Sequence, residues 1–282
     1  MKLVSYTANG KQAYGIARDD GIVDLTSRIG DSYPDIKSLI AGDGLEAAAA
    51  AADGESPDQS LDGITYRPVI ENPDKIICVG LNYKAHREET GRAPTDNPAL
   101  FIRFADTQAG HNQPMIKPRS SDMFDYEGEL AVIIGKGGRH VKAADYASVI
   151  AGYSIYNDGS VRDFQSHTIQ WTAGKNFPKT GGFGPWMVTA DELGDPAQLE
   201  LTTRLNGEVL QNSTTDLMIF DIPTLIEYIT SFTELGAGDV ISTGTPGGVG
   251  QRRDPQVFMK GGDTVEVEIS KIGTLVNPIV DE

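Results

Sequence analysis

Asp125-Tyr126-Glu127-Gly128-Glu129-Leu130-Ala131-Val132-Ile133-Ile134 sets two acids at the mouth of an apolar run. A short run rich in β-branched residues reads as a buried strand. Glu127 and Glu129 are two apart, so on a strand both carboxylates leave the same face. Like charges that close are unfavourable unless a cation sits between them. Solvated acids at a strand end are the plain alternative. Gly128 between them leaves room for a ligand or another backbone to approach.

A second apolar strand, Ala151-Gly152-Tyr153-Ser154-Ile155-Tyr156, runs into Asn157-Asp158. Asp158 suits an ordinary turn, or a third ligand beside the two glutamates. Three carboxylates with no cysteine or histidine among them select Mg2+ or Mn2+, with Ca2+ as a further candidate, over zinc.

Outward from these strands the pattern stays rich in β-structure. Strands are expected over residues 76–79, 129–134, 149–156, 199–205, 208–211, 239–242 and 264–269. Asn206-Gly207 is a hairpin turn, and Ala8-Asn9-Gly10 makes another near the N-terminus. Short helices are expected at residues 36–41 and along the alanine run 47–52. Asn82 is expected to cap a helix from Tyr83 to Thr90 that Gly91 ends. One amphipathic helix covers 222–233, capped by Asp221, with Ile222, Leu225, Ile226, Ile229 and Phe232 on one face. Strands outnumber helices and do not alternate with them, which argues against Rossmann and TIM-barrel layouts. The expected class is α+β, mostly β and mostly antiparallel. The loop at residues 53–60 and Pro73 place a boundary near residue 70: a small N-terminal domain over 1–70 and a catalytic domain over 71–282.

The charge of −16, from 40 acidic and 24 basic residues, repels phosphate backbones and anionic lipid. Nucleic acid and membrane are therefore poor partners, and an anionic substrate needs local cations. The single cysteine, Cys78, lies in an apolar run and reads as a buried structural thiol. The N-terminus lacks the apolar core of a signal peptide, and no stretch approaches about 18 uncharged apolar residues, so cytoplasm is the default location.

Three further features carry chemistry. His86 and Glu89 lie three apart on the expected helix, where the carboxylate would fix the tautomer of the imidazole and raise its basicity. An exposed pair on a short polar helix is the alternative. Lys175, in Ala173-Gly174-Lys175-Asn176, suits a substrate anion or a developing oxyanion, or simply a surface. The loop Ser242-Thr243-Gly244-Thr245-Pro246-Gly247-Gly248-Val249-Gly250 follows a strand and suits an anion-binding nest, though it is no P-loop.

Read in order, the chain resembles the fumarylacetoacetate hydrolase family. The match runs from Ile76-Ile77-Cys78-Val79-Gly80-Leu81-Asn82-Tyr83, His86 and Glu89 through Tyr126-Glu127-Gly128-Glu129-Leu130 and Asn157-Asp158. It continues with Arg162-Asp163, Gly174-Lys175 and Gly184-Pro185-Trp186, and closes with Gly238-Asp239-Val240-Ile241 and the glycine-rich loop. The resemblance implies a mixed β-sandwich roll behind a small N-terminal α/β domain, usually as a homodimer. It implies Mg2+ or Mn2+ on Glu127, Glu129 and Asp158, a lid dyad of His86 and Glu89, and substrate contacts from Lys175 and from Thr245 and Gly244 of the loop. The implied reaction is hydrolysis of a C–C bond in an acylpyruvate or related 2,4-dioxo acid. Oxaloacetate decarboxylation or dioxo-acid isomerisation is the alternative, and a non-catalytic binding protein is disfavoured by the intact triad and dyad. One departure stands out: many members run Ser-Phe-Asp-Thr-Phe-Gly-Pro after the lysine, where this chain has Asn176-Phe177-Pro178-Lys179-Thr180-Gly181-Gly182. Pro178 and Gly182 are expected to line or support the pocket.

Overall fold

Apolar strands that lack alternation need cover on both faces, and the structure supplies it. A computed structural model describes residues 1–282. The strands that matter are β1 (Lys2–Ala8), β2 (Lys11–Arg18), β3 (Gly21–Asp24), β4 (Ile76–Gly80), β5 (Ala99–Arg103), β6 (Met115–Lys117) and β7 (Gly128–Ile134). They are followed by β8 (Ile150–Asp158), β9 (Gly181–Thr189), β10 (Glu200–Leu205), β11 (Glu208–Thr214), β12 (Val240–Ser242), β13 (Thr264–Ile269) and β14 (Gly273–Asp281). The helices are α1 (Ile36–Ala41), α2 (Leu45–Ala52), α3 (Lys84–Thr90) and α4 (Ile222–Phe232).

The large sheet runs β3-β2-β1-β9-β8-β7-β12-β4-β5, and a five-stranded sheet runs β11-β10-β13-β14-β6. Most pairings are antiparallel, and β12–β4 and β14–β6 are parallel. Mixed α+β, mostly sheet, is therefore the fold class, as expected. Strands from the first 70 residues join the large sheet directly, with Lys2 and Leu3 of β1 opposite Val188 and Met187 of β9. The N-terminal segment is thus built onto the edge of the main sheet.

β7 shows why its sequence does not alternate. Leu130, Val132 and Ile134 face the five-stranded sheet and α4, packing in one core with Leu201, Val267, Ile269, Ile222 and Ile226. Ala131 and Ile133 face the other way, in a core with Ile36, Leu39 and Ala48 of α1 and α2. Both faces are buried, so every position is apolar until the strand reaches its acidic end. Cys78 belongs to that second core, and burial pushes its thiol well above the usual range.

Local signals behave as read at several points. Asn9-Gly10 and Asn206-Gly207 both take positive φ, as two-residue hairpins of this twist need. Asp221 accepts the Thr224 N–H at 3.0 Å and caps α4. Two expectations fail. Phe232 is half-exposed at the end of α4, where the helix runs past its core. Asn82 does not cap α3: its side chain instead donates to the carbonyls of Phe220 and Thr243 and accepts the Phe220 N–H. A fully buried amide with three partners across the chain ties the strand end to two distant loops, which serves better than one helix cap.

Candidate metal centre and dyad

Antiparallel pairing of β7 with β8 brings the acids together. Gly128 lies opposite Asn157, and the Asp158 N–H donates to the Glu127 carbonyl at 2.8 Å. Glu127, Glu129 and Asp158, all buried, have ligand oxygens within 4.8 Å of one another. Twice a metal–oxygen distance is about 4 to 5 Å for Mg2+ to Ca2+, so one ion can reach all three. Gly128 points to the other face: a Cβ there would lie 2.2 Å from Thr203 Oγ1 and 2.9 Å from Val267 Cγ1. Its missing side chain makes room for the second sheet, not for a ligand.

The charges around the triad are unusually dense. Lys175 Nζ lies 2.6 Å from both Glu127 and Asp158, inside a site where it is 1% exposed. Arg162 pairs with Glu127 and Asp125 at 2.7 Å each, and Arg103 pairs with Asp158 at 2.7 Å. Four buried carboxyl groups thus face three cations, leaving one without a cationic partner. That one is Glu129, whose Oε2 accepts from Ser242 Oγ at 2.6 Å and the Gly244 N–H at 2.9 Å. Desolvation, then the charges of Asp158 and Glu127, push its carboxyl well above the usual range. For Glu127, burial works upward, but Lys175, Arg162 and His86 outweigh it and hold the carboxyl low. Hard oxygen donors, burial and one carboxyl group left without a cationic partner together fit a divalent cation.

His86, 6% exposed on α3, has its Nδ1 2.7 Å from Glu89 Oε1, so a neutral ring donates there and leaves Nε2 as base. Glu89 Oε2 in turn accepts the Gly248 N–H at 2.9 Å. The glycine-rich loop therefore holds the dyad, and its other amides serve the protein's own carboxylates: Gly244 on Glu129, Gly250 and Gln251 on Asp125. The expected nest for a foreign anion is in large part filled from within. Thr245 lines the cavity, but its hydroxyl donates to the Gly128 carbonyl and accepts from Gln211. Gly244 stands behind Glu129 and does not line the cavity.

Part of this network borders one cavity of about 250 Å³, whose lining includes His86, Glu127, Glu129, Arg162, Lys175 and Thr245. Pro178 and Gly182 do not line it. Pro178 is exposed, and Gly182 supports β9 opposite Asn157, where a Cβ would meet Asn277 Oδ1 at 2.6 Å. Sequence reading left Arg103, Arg162 and Asp125 without roles. Arg162 lies inside a family-like string and Asp125 just before another, whereas Arg103 sits on β5 with no local sign of its partner 55 residues away.

A family model for the C-terminal domain of fumarylacetoacetate hydrolase matches residues 75–280. The chain belongs to the fumarylacetoacetate hydrolase family, a group of enzymes. It is 39% identical over 237 residues to a mitochondrial oxaloacetate tautomerase of Rattus norvegicus, covering 84% of this chain and 76% of that protein. Among solved structures it resembles 5-carboxymethyl-2-hydroxymuconate delta-isomerase from Mycobacterium smegmatis, at 32% identity and TM-score 0.78 over 100% of this chain and 99% of that one. It also resembles maleylpyruvate hydrolase from Sphingobium, solved with manganese(II) and pyruvate, at 28% identity and TM-score 0.83 over 100% and 99% of the two chains. No helix is long and apolar enough to cross a membrane.

Proposed function

We propose that this protein is a divalent-metal-dependent enzyme that moves a proton at the carbon beside the carbonyl of a 2-oxo acid, interconverting its keto and enol forms. The observation that carries it is the dyad: His86 Nδ1 is fixed by Glu89 at 2.7 Å, and His86 lines the same cavity as Glu127 and Glu129 of the acid triad. Keto–enol transfer needs one positioned base that can return its proton. His86 Nε2 fills that role, and Glu89 holds the ring in one tautomer and stabilises the imidazolium form. Glu127, Glu129 and Asp158 would hold Mg2+ or Mn2+, which would supply Lewis acidity to the substrate oxygens. Arg162 lines the cavity and its buried Nη2 has no partner, so it can donate to an acid oxygen of the substrate. Lys175 holds Glu127 and Asp158 in place and adds positive charge where an enolate oxygen gathers negative charge. The identity to oxaloacetate tautomerases supports an oxaloacetate-type substrate.

Hydrolysis of a C–C bond in an acylpyruvate or other 2,4-dioxo acid is the second reading, favoured by the likeness to maleylpyruvate hydrolase. It adds attack by water, activated by His86, on the distal carbonyl. A homodimer in the cytoplasm completes the proposal. The test is to load the protein with Mn2+, supply enol-oxaloacetate, acetylpyruvate and maleylpyruvate, and follow both enol absorbance and released pyruvate. Loss of enol absorbance without stoichiometric pyruvate supports the tautomerase. Pyruvate formed at the same rate as enol loss on the dioxo acids supports the hydrolase, and turnover of none refutes both.

A further inference from the structure

The cavity carries more positive charge than the chemistry above uses. Its lining holds Arg92, Arg162, Lys175 and Arg252 against two acids, Glu127 and Glu129, in a chain whose net charge is −16. The inner cations are spent on carboxylates: Arg162 on Asp125 and Glu127, Lys175 on Glu127 and Asp158. The outer two are different. Neither guanidinium makes an ion pair or a side-chain hydrogen bond, although acids outnumber bases over the whole chain.

Both outer arginines are exposed at the cavity's rim. Arg92 stacks over the Trp171 ring at 5.6 Å, and Trp171 packs edge-on to Phe101 at 5.5 Å. Trp171 sits so close to the backbone of β4 that a Cβ on Gly80 would lie 2.2 Å from its ring. Arg252 ends the short turn Gly250–Arg252, whose first two amides are bound by Asp125, itself paired with Arg162. One rim arginine thus rests on an aromatic stack, and the other projects from a turn whose backbone is anchored to the network around the triad.

We propose that Arg252, assisted by Arg92, forms a second carboxylate-binding subsite that selects substrates with an acid group at both ends. This deepens the proposed function and rests on it, since the first acid group is placed at the triad end. A guanidinium presents paired donors that match a carboxylate, and an unpaired one at a cavity mouth also draws anions inward. The ligand class is a short 2-oxo or 2,4-dioxo dicarboxylate, and monocarboxylates such as acetylpyruvate leave the subsite empty.

The test compares Mn2+-loaded parent protein with Arg252→Gln, Arg252→Lys and Arg92→Gln, on enol-oxaloacetate and on acetylpyruvate. The kcat/KM ratio of diacid to monoacid should fall about 10-fold or more in Arg252→Gln, mostly through KM, with Arg252→Lys between it and the parent. Titration calorimetry with 2-oxoglutarate and 2-oxobutyrate should show the same loss of preference for the diacid, independent of turnover. An equal effect on both acid classes, or none on either, overturns the subsite while leaving the tautomerase reading standing. A parent protein that neither binds nor turns over any of these acids overturns the reading beneath it, and the subsite falls with it.

Discussion

Replacing Lys175 with methionine removes the one ammonium that bridges Glu127 and Asp158 at 2.6 Å each. Methionine fills a similar volume, so packing changes little and the effect is electrostatic. Two carboxylates with oxygens within 4.8 Å of each other repel by about 3 kcal/mol at an effective dielectric near 20. Each keeps one arginine, Arg162 or Arg103, which places the loss at the low end of the roughly 3–5 kcal/mol seen when a buried pair is broken. The metal-free variant should therefore melt on the order of 10 °C below the parent. Added Mn2+ should restore most of that, because it returns positive charge between the same oxygens. Differential scanning calorimetry with EDTA and then with saturating Mn2+ reads both effects. Equal melting of the two metal-free proteins, or no larger gain from Mn2+ in the variant, would refute the reasoning.

His86→Gln should slow turnover by about 100-fold or more while Mn2+ affinity, read by calorimetry, stays near the parent value. Gly128→Ala forces a methyl to 2.2 Å from Thr203 Oγ1 and should cost about 1–3 kcal/mol in urea unfolding. Adding Thr203→Ala, whose buried hydroxyl has no partner, should recover much of it, and a double mutant as unstable as the single would contradict the packing account. Burial lowers the His111 pKa from 6.5 to about 4, where its Nδ1 accepts the Val276 N–H. The neutral ring is the folded form, so this contribution is fully present above pH 6.5 and is lost as pH falls toward 4, about 3 kcal/mol in all. His111→Asn should flatten that part of the stability profile, measured as the difference between parent and variant by urea unfolding at each pH.

The parts of the fold that were legible in the sequence are those set by neighbours. Asn206-Gly207 fixes a hairpin, Asp221 starts α4, and the spacing of Glu127 and Glu129 sets a common face before any partner is known. What was not legible depends on which strand lies beside which. Nothing local pairs Lys2 of β1 with Val188 of β9, or turns Asn82 from a helix cap into a clasp on Phe220 and Thr243. Register also decides that Gly128 faces Thr203 and not the cavity. At the site, sequence placed Lys175 toward a substrate, and the fold sets it on the cavity but also between two of the acids, a pairing no local signal shows. The loop's amides were likewise assigned to a foreign anion because Glu89, Glu129 and Asp125 approach them from distant strands and from α3.

The central claim is that Glu127, Glu129 and Asp158 hold one divalent cation, and Mn2+ titration calorimetry on chelator-treated protein tests it most directly. The parent should take up one Mn2+ per chain, and Glu129→Gln and Asp158→Asn should each weaken it by more than about 100-fold while remaining folded by circular dichroism. A parent that binds no Mn2+, or folded variants that bind it as tightly as the parent, would contradict the claim.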